Sequence, residues 1–134
     1  QRVKMPVAGK GDRQMTRKRI NSKLKGAKGE REWARLCREE GFTNTRRGQQ
    51  YSGIEGEDVV GLPGIHQEVK RVEALRLYDA IAQAKAEARG KIPIVAHRRN
   101  NCEWVVIMTA KDWFKLYREY YSSMVLKERG EMHG

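Results

Sequence analysis

The chain has 134 residues and a mass of 15.5 kDa, the size of one domain, and its 28 Lys and Arg against 17 Asp and Glu give a formal net charge of +11. Its longest uninterrupted apolar run, Trp104 to Met108, falls far short of the ~20 residues that span a bilayer, so a membrane helix is excluded. Cys37 and Cys102 stand far apart, which excludes a zinc finger and a disulfide scaffold and leaves two reduced thiols in a protein expected to be cytoplasmic.

The charge is uneven. The first 28 residues hold ten basic residues and one acid, Asp12, accounting for +9 of the +11. With so few apolar anchors, residues 1–25 are expected to be a flexible basic N-terminal arm suited to gripping phosphates, and nucleic acid is the expected partner.

After the arm, residues 27–40 place Trp33, Leu36 and Cys37 on one helical face, with Gly41 as the stop. Phe42 to Arg47 suits a strand, Gly48 to Gly56 a polar loop, and Asp58 to Leu62 a short strand closed by Pro63-Gly64. From Ile65 to Arg71 the chain alternates, with Ile65, Gln67 and Val69 on one side and His66, Glu68 and Lys70 on the other. Residues 74–89 read as a helix whose apolar face carries Leu77, Tyr78, Ile81, Ala82, Ala84 and Ala88, ending at Gly90. Ile92 to His97 and Trp104 to Met108 are expected to form a hairpin. Thr109 and Asp112 resemble a capping box that opens a last helix rich in Trp, Phe and Tyr. At helical spacing these aromatics are expected to fill a core or a subunit contact rather than to stack on bases. The plan is α/β: a central mixed five-stranded sheet flanked by helices.

Asp58, Glu68 and Lys70 form the pattern D-x9-E-x-K across a strand, a tight turn and a second strand. If the turn folds one strand beside the other, two hard carboxylate ligands meet, a donor set for Mg²⁺ or Mn²⁺ rather than for zinc, with an ammonium beside them. That combination suits phosphodiester hydrolysis. His66 and His97 read as polar strand residues, since no second His or Cys accompanies either. Arg46, Arg47, Arg98 and Arg99 cluster near strand ends, where their planar donors suit phosphate.

The order Asp58, then Glu68-Val69-Lys70, resembles the PD-(D/E)xK nuclease superfamily. The preceding run Lys25-Gly26-Ala27-Lys28-Gly29-Glu30-Arg31-Glu32, the helix stop Gly41-Phe42 and the pair Ser52-Gly53 are similar to the archaeal and phage Holliday junction resolvases, although Glu57 stands where their signature has proline. The resemblance covers Lys25 to Met108. It implies a restriction-endonuclease-like core over residues 26–125, with 126–134 as a C-terminal tail. It further implies that Glu30, Asp58, Glu68 and Lys70 are catalytic, with Asp58, Glu68 and Glu30 on Mg²⁺ or Mn²⁺. Ser52 would touch the phosphate near the cut, Lys25 and Lys28 would join the DNA contacts, and Gln83 would face the site from the following helix. The expected substrate is branched DNA, foremost a four-way junction. The expected assembly is a C2 homodimer, because paired cuts need two equivalent sites, and the setting is a nucleoid or a phage-infected cell. Flaps and forks are alternative substrates, and a non-catalytic basic binding module is the alternative from another class.

Overall fold

The computed structural model describes residues 26–48 and 58–133. The expected basic arm, Lys25 and Ser52 lie outside the described residues. A helix over residues 26–39, α1, is followed by β1 (Arg46–Arg47), β2 (Val59–Val60), β3 (Ile65–Lys70), α2 (Leu77–Glu87), β4 (Ile92–His97), β5 (Val105–Ile107) and α3 (Ala110–His133). The five strands form one sheet in chain order. The pairs β1·β2, β2·β3 and β4·β5 are antiparallel, and β3·β4 is parallel with α2 as the crossover, so the expected mixed sheet is present.

Alternation along β3 decides which helix covers which face. Val69 joins Val59, Ile94 and Ala96 beneath Trp33, Ala34 and Cys37 of α1, and Gln67, on the same side, accepts a 2.8 Å hydrogen bond from Trp33 Nε1. The opposite face carries Val95, which packs on Ala80 and Ala84 of α2. Glu68 pairs in register with Val95 and therefore lies under α2. The sheet is thus sandwiched between α1 and α2 in its central strands.

Several elements differ in extent from the sequence expectation. The run expected to be a strand from Phe42 shortens to Arg46–Arg47, because Phe42 to Thr45 closes the helix instead. Gly41, at φ 103°, donates to Arg38 O and Phe42 donates to Cys37 O, each at 3.0 Å, the paired bonds of a Schellman turn. The Thr45 hydroxyl then donates to Phe42 O at 2.7 Å. On α2 the packed row is Ala80, Ala84 and Ala88, while Tyr78 and Ala82 of the expected apolar face point to solvent. Small side chains at i, i+4 let this helix approach the sheet closely, and a bulky tyrosine has no place in that row.

Thr109 caps α3 as expected, its Oγ1 accepting from Asp112 N–H at 3.3 Å, while the Asp112 side chain closes the pair by accepting from the Thr109 hydroxyl at 3.0 Å rather than from its backbone. The helix runs on to His133, so the boundary expected after residue 125 falls inside it. Its aromatics do not fill the core. Trp113, Phe114, Tyr117, Tyr120 and Tyr121 are all exposed, with Trp113 and Tyr117 stacked at 5.3 Å, which removes core packing and leaves a subunit contact as the expectation still open. Among the described residues, no helix is long and apolar enough to cross a membrane.

Candidate active site

The tight turn at Pro63-Gly64 folds β2 back beside β3, with Val59 opposite Gln67. Asp58, just before β2, is thereby brought to β3, where its Oδ2 accepts the Val69 backbone N–H at 3.1 Å. That bond fixes the carboxylate between the flanking side chains of Glu68 and Lys70. Lys70 leaves the same strand face one step beyond Glu68, and its Nζ donates to Gln83 Oε1 of α2 at 3.1 Å.

Glu30 arrives from α1. A Cβ on Gly29 would collide with the Arg71 side chain just past β3, so only glycine lets the helix come this near the strand end, and the next residue is Glu30. Glu30 Oε2 accepts from Arg47 Nε of β1 at 2.7 Å. Partial burial pushes the Glu30 carboxyl above its usual range, with the Arg47 bond pulling the other way. Glu30, Asp58, Glu68, Lys70 and Gln83 line one cleft of about 330 Å³. Asp58, Glu68 and Lys70 were expected together from their spacing, Glu30 and Gln83 from the family resemblance, and the five line the same cleft.

Glu68 is the most perturbed group. It is fully buried, with Asp58 and Glu87 as acidic neighbours, and its carboxyl is raised to about 9, first by loss of water and then by those neighbours. It holds a proton and shares it with Glu87, whose own carboxyl is held below the usual range by that hydrogen bond. His66 Nε2 lies 2.9 Å from Glu68 Oε1.

Two members of this cluster escape sequence reasoning. His66, expected to be a polar strand residue, is buried against Glu68 and near Glu87, and ligand atoms of the three lie within 4.8 Å of one another. The signal for His66 was its place two residues before Glu68 on the same strand face. For Glu87 it was its place one helical turn after Gln83. His97 Nε2 donates to Val72 O at 2.9 Å and takes no part in the cluster.

The arginines expected to meet DNA are placed variously. Arg46 and Arg47 lie exposed on the edge strand β1, Arg47 being paired with Glu30. Arg98 is committed within the fold: its guanidinium bonds Glu32 of α1, and its Nε donates to Cys102 O at 2.7 Å. Arg99 is exposed, with Nε 3.2 Å from Cys102 Sγ, and Lys28 is exposed on the first turns of α1. Beside the cleft, Arg71 donates to Asn100 Oδ1 at 2.9 Å and lies 3.6 Å from Glu32, tying α1 and the β4–β5 loop to the end of β3.

Comparison of the chain with protein-family models, with curated proteins and with solved structures found no match.

Proposed function

We propose that the chain is a divalent-cation-dependent endonuclease with a restriction-endonuclease-like core that cuts branched DNA, the four-way junction being its substrate. The single observation that carries this reading is the meeting of Glu30, Asp58, Glu68 and Lys70 in one cleft. Paired carboxylates are hard oxygen donors, and a dication would favour the charged form of Glu68, which loss of water first and its acidic neighbours second disfavour. Asp58 and Glu68, with Glu30 at the rim, would hold Mg²⁺ or Mn²⁺. Such an ion, when bound, lowers the pKa of a water and offsets charge on a phosphate under attack.

The chain's own residues supply the rest. The Val69 N–H keeps Asp58 aimed into the cleft, and Gln83 keeps the Lys70 ammonium at its mouth, where it can orient a water or a phosphate oxygen. Lys28, Arg46 and Arg99 are exposed and would meet phosphates along the surface, the same role that Lys25, Ser52 and the basic arm hold in this reading. Arg47 bridges that surface to Glu30. The exposed aromatic face of α3 supports a C2 homodimer, which would set two clefts on one junction. The setting would be the cytoplasm, at a nucleoid or in a phage-infected cell.

The test is cleavage of a labelled four-way junction beside a flap, a fork and a linear duplex, with Mg²⁺ and with a chelator. Paired nicks across the junction, lost on chelation and in Asp58→Asn, are expected. Preference for the flap or fork would move the substrate within the same chemistry. Binding with a steep salt dependence and no scission under any dication would replace the reading with a non-catalytic binding module.

A further inference from the structure

A second set of ligand atoms includes Glu68 but not Asp58: His66, Glu68 and Glu87. His66 and Glu68 share one face of β3 and are each about 1% exposed. Glu87 reaches them from the last turn of α2 and stays partly open to solvent. One nitrogen, His66 Nε2, faces both carboxylates, 2.9 Å from Glu68 Oε1 and 3.9 Å from Glu87 Oε2.

The composition and spacing of this group set it apart from a surface patch of acids. An imidazole nitrogen with two carboxylates is a mixed donor set that suits borderline transition ions, whereas Mg²⁺ prefers oxygen alone and keeps its waters. Bonds of about 2.0–2.2 Å to nitrogen and oxygen place adjacent ligands of a tetrahedral or octahedral shell about 2.8–3.6 Å apart. The observed 2.9 and 3.9 Å separations from His66 Nε2 come within a few tenths of an ångström of that range, and all three donors lie within 4.8 Å of one another, so side-chain adjustment would bring the three onto one ion, with water filling the rest of its shell. Ala80 and Ala84 of α2 pack on the sheet here, and the partly exposed Glu87 carboxylate gives an ion a way in.

We propose that His66, Glu68 and Glu87 form a second cation site, sharing Glu68 with the Asp58 cleft, which takes a first-row transition dication, Zn²⁺ more tightly than Mn²⁺, and discriminates against Mg²⁺. The order follows the general affinity series for such ligands. An ion there joins β3 to the last turn of α2, the helix that also carries Gln83. The site stands whether or not the cleft cuts DNA.

The experiment measures Zn²⁺ and Mn²⁺ binding to the metal-stripped full chain without DNA, by calorimetry and by the electron spin echo of bound Mn²⁺. Wild type should bind one Zn²⁺ that Glu87→Gln and His66→Gln each weaken at least about tenfold, while Asp58→Asn leaves it in place. The Mn²⁺ echo should show a directly bound nitrogen, lost in His66→Gln. No Zn²⁺ binding by wild type, unchanged affinity in Glu87→Gln, or no nitrogen coupling in wild type would each overturn the proposal. Should the buried His66→Gln variant misfold by circular dichroism, Glu87→Gln and the wild-type nitrogen signal decide the question by themselves. Since no readout is cleavage, failure of the nuclease reading and failure of this site are separable.

Discussion

At Glu68 a carboxyl group is buried beside Glu87 and Asp58, and loss of water together with these acidic neighbours pushes it up to about 9. Between the ordinary carboxyl value of 4.5 and that point the folded chain binds a proton that the unfolded chain has released, so stability falls as pH rises. Glu87 is shifted the other way and contributes stability that disappears only as pH drops below 4.5. The urea midpoint of the metal-free protein should therefore decline from pH 5 to pH 8.5, and Glu68→Gln should flatten the decline; a midpoint rising over that range would contradict the assignment. Metal in the cleft must displace the same proton, so Mg²⁺ affinity should climb with pH. Gln83 acts through Lys70, and its replacement by Ala should slow Mg²⁺-dependent junction cleavage about 10–100-fold, the usual cost of losing a partner that orients a functional group. A rate equal to wild type would show that Lys70 is held by something else. Of these residues, Asp58, Glu68 and Lys70 were legible because a two-residue period and a Pro-Gly turn fix which side chains emerge together. Glu87 was not, because its meeting with Glu68 depends on how α2 lies across the sheet.

Among the elements, α1 depends on a bond that periodicity does not reveal. Trp33, Leu36 and Cys37 were readable as one apolar face from their spacing, of which Trp33 and Cys37 are buried and Leu36 half-buried, yet Gln67 beneath them is also buried and accepts from the Trp33 indole. Trp33→Phe keeps the apolar ring but leaves the Gln67 carbonyl oxygen without that donor, and should cost about 1–3 kcal/mol in chemical denaturation. An unchanged midpoint would mean that the bond contributes nothing. Gly29 belongs to the same contact. Any side chain there must push α1 from Arg71 and carry Glu30 outward, so Gly29→Val should reduce junction cleavage more than it reduces stability. The shortest strands proved harder to read than β3 and β4. Two-residue pairings such as β1 and β2 leave little periodic signal, and at β1 the Schellman turn after α1 took residues that the alternation alone had assigned to the strand.

For the molecule as a whole, the mixed sheet and its two covering helices were foreseeable from the order of periodic segments, because a parallel β3·β4 pair needs a crossover and α2 supplies one. The surroundings of α3 were not, since spacing shows that a helix has an apolar stripe but not what the stripe meets. Its exposed Trp113, Tyr117, Tyr120 and Tyr121 are expected to be covered by a second copy, and Trp113→Glu with Tyr117→Glu should convert a dimer to monomers in analytical ultracentrifugation. A wild type that sediments as a monomer at high concentration would remove the dimer. Metal-dependent scission by the carboxylate cleft is read out by single-turnover nicking of a four-way junction by wild type and Asp58→Asn at equal occupancy, with junction affinity measured separately in Ca²⁺. A rate at least about 100-fold lower in the variant, with affinity retained, is predicted; equal rates would place the chemistry elsewhere.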